Sequence, residues 1–113
     1  MKIKAVFHID ENEKWKLVIG NVRNLYNGLK EQEFEIEILA NSVAVEMYKS
    51  ASTIYKSDFE ELKELGIKMC ACNNSLVGMN IQRSELLGFI TVVPIGVKEL
   101  IEKQLDGFAY IKP

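Results

Sequence analysis

Little in this chain of 113 residues advertises a familiar chemistry, and each absence removes a class of function. There is no Cys-x-x-Cys pair, so no thioredoxin-type redox motif. The two cysteines, Cys70 and Cys72, stand so close that a disulfide between them would close a tiny, strained loop; in a reducing compartment they are free thiols. Cys-x-Cys plus the single histidine, His8, offers too few soft ligands for structural zinc, so no metal site is expected. Neither a P-loop nor Gly-x-Gly-x-x-Gly occurs, and no cofactor is expected. A Cys–His hydrolase would need a third orienting residue and an oxyanion hole, and no motif marks either. Basic residues form no block: Lys and Arg number 14 against 16 Asp and Glu, and the net charge is −2. Phosphate-driven binding of nucleic acid is therefore not expected. No apolar segment resembles a signal peptide or a membrane span, so the expectation is a cytoplasmic protein without a membrane partner. Two prolines and no Ser/Gly-rich stretch leave no linker, repeat or low-complexity segment. The length suits one domain, residues 1–113.

What is present alternates regularly. Lys2 to Ile9 reads as a strand, followed by Asp10 and Glu13 as a capping-box variant. Trp15, Val18, Ile19, Val22, Leu25, Tyr26 and Leu29 repeat at helical spacing, with Asn27-Gly28 marking the end. Phe34, Ile36 and Ile38 alternate with Glu33, Glu35 and Glu37, which predicts a strand with one wet, acidic face, or one whose polar face meets a partner or a loop. Asn41-Ser42 is expected to cap a short helix from about Val43 to Tyr48. Ser57-x-x-Glu60 reads as a capping box for a helix carrying Phe59, Leu62 and Leu65, ended by Gly66. Ile67 to Cys72 is a third strand, and a short helix from about Ser75 to Met79 follows. Ser84 to Leu87 reads as a turn of helix. Phe89 to Val93 suits an interior parallel strand. Val97, Leu100, Ile101 and Leu105 build a last helix closed by Gly107, and Phe108 to Ile111 a final strand. Strand and helix alternate throughout, which argues for a parallel sheet with helices packed on its faces. Periodicity does not give the strand order.

In open parallel sheets, ligands bind outside the carboxyl ends of the strands. Those ends are His8-Ile9-Asp10, Ala40-Asn41-Ser42, Cys72-Asn73-Asn74-Ser75 and Pro94-Ile95-Gly96. Cys72 is the sharpest feature among them. It lies at a strand-to-helix corner, beside N–H groups that lack a helical partner, where the helix dipole favours thiolate. A free thiol of pKa about 8.5 is roughly 3% ionised at pH 7; one lowered to about 6.5 is roughly three-quarters ionised. Each candidate also has a plainer reading. Cys72 could be a small buried apolar residue. His8 could simply bond a loop carbonyl, and Asn41, Asn73, Asn74 and Ser75 could simply cap helices. Cys70, inside its strand, reads as core, as does Trp15.

Taken in order, several segments resemble one family. The most specific is Ala71-Cys72-Asn73-Asn74-Ser75-Leu76 followed by Asn80-Ile81. Val6-Phe7-His8-Ile9-Asp10, Glu13-Lys14-Trp15, Asn21 to Leu25, Leu39-Ala40-Asn41, Val93 to Val97 and Gly107 to Pro113 accompany it. The chain resembles the DsrE/DsrF-like (YchN-like, DsrEFH-like) family of small proteins tied to sulfur relay. A glycine common near the position of Asn80 in that family is missing here. The resemblance implies a three-layer α/β/α sandwich around a mainly parallel five-stranded sheet. It also implies homo-oligomers, commonly trimers or hexamers, in which a cysteine after the third strand carries a persulfide.

That role falls on Cys72 alone, with His8, Asn41, Asn73, Asn74, Ser75 and Gly96 as candidate binding residues. Sulfur donor and acceptor proteins would be the partners. The alternative is a non-catalytic oligomer whose strand-end edge holds a small anion or nucleotide-like ligand. Apolar residues on short or loop-like segments, Tyr48, Ile54, Tyr55 and Met79, are expected to serve contacts between subunits.

Overall fold

Apolar alternation in the N-terminal strand directs Ala5, Phe7 and Ile9 to one face and Val6 to the other, and the sheet grows from that two-sided strand. The computed structural model describes residues 1–113. The strands are β1 (Ile3–Ile9), β2 (Phe34–Ala40), β3 (Lys68–Cys72), β4 (Thr91–Val93) and β5 (Ala109–Ile111). The helices are α1 (Trp15–Leu29), α2 (Lys56–Glu64), α3 (Asn73–Gly78) and α4 (Gly96–Leu105). Short 3-10 segments cover Asn12–Lys14, Ser42–Tyr48 and Arg83–Glu85. All strand pairings are parallel, in the order β4-β3-β2-β1-β5. The α/β class expected from the alternation is the class observed.

Right-handed crossovers explain the layers. Three successive connections step the same way, from β1 to β2 to β3 to β4, and so deposit α1, α2 and α3 on one face. The last connection runs back across the sheet to β5 and must cross on the other face, carrying α4. The cores match this asymmetry. A cluster of 23 buried residues fills the first face, whereas six fill the α4 face: Val6, Leu39, Cys70, Val93, Leu100 and Phe108.

Trp15 anchors the larger core. It is fully buried, its rings meet Tyr48 and Phe59 edge-on, and its indole N–H donates to the Ala44 carbonyl at 3.1 Å. That bond removes the cost of burying the polar atom, leaving roughly 3 kcal/mol of favourable apolar burial.

Several local expectations give way to tertiary structure. β4 is a three-residue edge strand rather than an interior one, because the return to β5 leaves nothing on its far side. Asp10 caps no helix: its carboxylate takes the Lys112 ammonium at 3.0 Å and ties the C-terminal segment to the end of β1. Ser57 caps none either, because α2 starts one residue before it, at Lys56. A capping box forms instead at Gln82 and Glu85, where the Gln82 N–H donates to the Glu85 carboxylate at 2.7 Å. α1 runs through Gly28 and stops at Lys30, whose φ of 54° breaks the helix. Tyr48 is fully buried and unavailable to a neighbouring subunit. Val97, Ile101 and Leu105 of α4 are exposed; only Leu100 of that helix's apolar set reaches the core.

The acidic face of β2 is the largest departure. Glu33 and Glu35 are exposed as expected, but Glu37 is 2% exposed beneath α4. Burial, and then the adjoining Glu99 carboxyl, push its carboxyl up to about 8.

Candidate functional site

The connection after β3 leads to α3 on one face, and the connection after β4 leads to α4 on the other. Adjacent strands whose following connections diverge in this way open a crevice between their carboxyl ends, where such sheets bind ligands. Cys72 is the last residue of β3 and the N-cap of α3. Gly96 is the first residue of α4. The two residues face each other across the crevice, and the Gly96 N–H donates to Cys72 Sγ at 3.2 Å.

That donor is one of the N–H groups a helix cannot satisfy internally, so the sulfur completes the start of α4. No larger residue fits at position 96 without movement. A Cβ there would lie 3.0 Å from Cys72 Cβ and 3.3 Å from both Sγ and Leu39 Cδ1. The absence of a side chain is what lets the backbone reach the sulfur.

Opposing forces act on the Cys72 thiol. Cys72 is 5% exposed, and burial by itself raises the pKa of a thiol. Hydrogen bonds outweigh it: the Ser75 hydroxyl and the amides of Ser75, Gly96 and Asn74 hold the thiol below its ordinary value. Ser75 Oγ meanwhile accepts the Ser42 N–H at 2.7 Å, which leaves its own proton free to point at sulfur. Ser42 occupies the left-handed region, with φ of 53°, a strained conformation for serine that this bond helps to hold. Cys70 shows the contrast. It sits one pleat back along the same face of β3, and burial and then Glu37 hold its thiol well above the usual range. The thiol at the helix starts is held below its ordinary pKa; the one within the strand is held above it.

The remaining candidate residues divide into groups. His8 and Asn41 meet directly, with Nε2 2.9 Å from the Asn41 side-chain oxygen. The other ring nitrogen, Nδ1, is 2.6 Å from the Tyr110 hydroxyl. A neutral ring with its proton on Nε2 satisfies both bonds, donating to Asn41 and accepting from Tyr110. Asn41 therefore spends its side chain on His8 rather than on capping the 3-10 segment that follows it. Through Ser42 this pair adjoins Ser75 and Cys72. Asn74 contributes through its amide. Asn73 turns away: its oxygen is 3.5 Å from the Arg83 guanidinium, at the edge of a separate cleft.

Tyr110 and Ser42 belong to the assembly but were not among the binding residues expected from the sequence. Tyr110 comes from a strand whose position beside β1 no local pattern reveals, and Ser42 acts through its backbone. As a chemical unit the crevice can hold a sulfur-centred anion, using amides and one hydroxyl as donors.

Comparison with known proteins agrees with this architecture. A protein of unknown function, MTH1491 from Methanobacterium thermoautotrophicum, superposes with a TM-score of 0.91 at 35% identity, over 98% of this chain and 99% of that one. The ychN protein from E. coli shares the fold, with a TM-score of 0.78 at 14% identity over 98% of this chain and 99% of that one. No curated protein matches the chain. The family model described as DsrE/DsrF-like matches residues 22–113, which include the whole β3–α3 corner and the start of α4, and the chain therefore belongs to the DsrE/DsrF-like family.

Proposed function

We propose that Cys72 carries a sulfane sulfur as a persulfide and passes it to a partner thiol. The observation that carries this reading is the bond from the Gly96 N–H to Cys72 Sγ, which brings the start of α4 onto a sulfur already at the start of α3. In the first step the Cys72 thiolate attacks the outer sulfur of a donor persulfide. A new S–S bond forms on Cys72, the donor's S–S bond breaks, and the donor leaves as thiolate. In the second step an acceptor thiolate attacks the outer sulfur, and Cys72 departs as thiolate. Neither step has net oxidation, and both are thiol–disulfide-type exchanges. A thiol held below its ordinary pKa serves twice, as an ionised nucleophile and as a good leaving group. A reducing compartment keeps that thiol free, so the cytoplasm is the location we assign.

The protein would work as a homo-oligomer, a trimer or hexamer. Val97, Ile101 and Leu105 form an exposed apolar stripe at helical spacing along α4, over the face with the smaller core. Sedimentation showing only monomer at micromolar concentration would refute this.

The near-complete burial of Cys72 favours a second reading, in which the crevice binds a small anion without turnover. One experiment separates the two. The protein is incubated with a persulfide donor, and its intact mass is read with and without reductant. A reductant-labile gain of one sulfur, absent in Cys72→Ser, is expected for the carrier. No adduct, or an equal adduct on Cys72→Ser, refutes it. Ligand-dependent melting that persists in Cys72→Ala then marks the binding module.

A further inference from the structure

Beneath α4 lies a second constellation that the sulfur chemistry does not use. The side chains of Glu37 on β2, Cys70 on β3 and Glu99 on α4 converge, and one ligand atom from each lies within 4.8 Å of the others. Glu37 is 2% exposed, and neither of its carboxylate oxygens has a hydrogen-bond partner; nor does Oε2 of Glu99. Burial, and then the adjoining Glu99 carboxyl, keep a proton on Glu37, so the cluster as it stands gives up the ionisation of one carboxyl. Two ammonium groups stand near by without hydrogen-bonding: Lys68 is 3.9 Å from Glu37 Oε1, and Lys103 is 3.9 Å from both Glu37 Oε1 and Glu99 Oε2.

We propose that Glu37, Cys70 and Glu99 bind a thiophilic divalent cation of the zinc class, which pins α4 to β2 and β3. One thiolate and two carboxylates are a donor set for such an ion, with a water completing the tetrahedron. Ligands at about 2.0–2.3 Å from one ion lie roughly 3.3–3.8 Å apart, so closure of about 1 Å is required. Glu99, on a helix and only partly buried, can supply that movement. Binding takes up the cation and releases the Cys70 thiol proton and the proton held by Glu37. Three anionic ligands on a divalent ion leave one negative charge, which the Lys68 and Lys103 ammonium groups face from the solvent side. A cavity of about 180 Å³ reaches Glu37 between Lys68, Lys103 and Phe108. Because Cys70 and Cys72 share one face of β3, the cation would sit directly behind the reactive thiol without touching it.

The test uses full-length protein freed of metal by a chelator, titrated with Co²⁺ and then Zn²⁺. A thiolate-to-cobalt charge-transfer band saturating at one equivalent per chain is expected. It should persist in Cys72→Ser, vanish in Cys70→Ser, and require about 100-fold more metal or greater in Glu37→Gln. Zn²⁺ should displace the band and raise the melting temperature of the wild type but not of Glu37→Gln. If Cys70→Ser fails to fold, the neutral, isosteric Glu37→Gln decides. No band in the wild type, a band unchanged in Glu37→Gln, or one lost in Cys72→Ser overturns the proposal. Cys72→Ser retains this site while losing the persulfide, so failure here and failure of the sulfur-carrier reading are distinguishable.

Discussion

Gly96→Ala tests the crevice more sharply than removal of the cysteine, because it leaves every titrating group in place. The new methyl would meet Cys72 Cβ at 3.0 Å, and Sγ and Leu39 Cδ1 at 3.3 Å. The Leu39 methyl can swing aside, but Cys72 Cβ is fixed by the β3 backbone. Overpacking of this kind costs about 1–3 kcal/mol. Alanine returns roughly 0.4–1 kcal/mol by restricting the unfolded chain. The expected net loss is therefore about 1–2 kcal/mol, read as a lower urea midpoint at unchanged slope. The methyl also pushes the Gly96 N–H beyond its present 3.2 Å from Sγ. That bond is one of those holding the thiol below its ordinary value, so its loss should raise the Cys72 pKa. Iodoacetamide alkylation followed against pH, with Cys70→Ala as background, reports that value. A midpoint unchanged within about 0.3 units, together with stability within about 0.5 kcal/mol of wild type, would refute the claim that Gly96 holds the sulfur.

The other expectations concern the same site and its supports. Ser75→Ala removes the hydroxyl donor to Cys72 and the acceptor for the Ser42 N–H; the alkylation midpoint should rise, and an unchanged midpoint would exclude Ser75 from the site. The folded-state pKa of Cys72 lies below its unfolded value, so its ionised form contributes stability that is present above the unfolded pKa of about 8.5 and lost as pH falls through the folded value. Wild type should therefore gain stability over Cys72→Ala between pH 6 and pH 9, and urea midpoints that run parallel across that range would contradict it. Trp15→Ala empties the largest side chain from the main core and should cost about 3–5 kcal/mol, or prevent folding, as seen by circular dichroism. Arg23→Ala breaks a two-carboxylate cluster with Asp58 and Glu61, at 2.7 and 2.6 Å, on a partly exposed surface. Its cost should stay below about 1 kcal/mol and shrink with added salt, and a larger, salt-independent loss would mean that the cluster does more than hold the surface.

Local pattern in the sequence determined a good deal. Alternation and helical spacing marked the strands and helices, because burying one face of an element imposes a period that survives in sequence. The strand-to-helix corner at Cys72 was legible for the same reason: an apolar run ended and residues suited to a helix start began. Gly66 and Gly107 were legible as helix ends, and both have φ of 90°. Tertiary structure decided which strands are neighbours, and with that nearly everything about partners. It put β4 at an edge and sent α4 to the opposite face from α3, so that Gly96 met Cys72. It brought Tyr110 to His8 across 102 positions of sequence. Asn41, Ser57 and Asp10 had locally sufficient reasons to cap helices, yet His8, an earlier helix start and Lys112 respectively set their actual roles. Glu37 makes the point most plainly. An alternating glutamate reads as solvated, because sequence shows which face of a strand a residue takes but not what the rest of the chain lays over that face. The long crossover from β4 to β5 laid α4 there, and so buried a carboxylate beside a thiol.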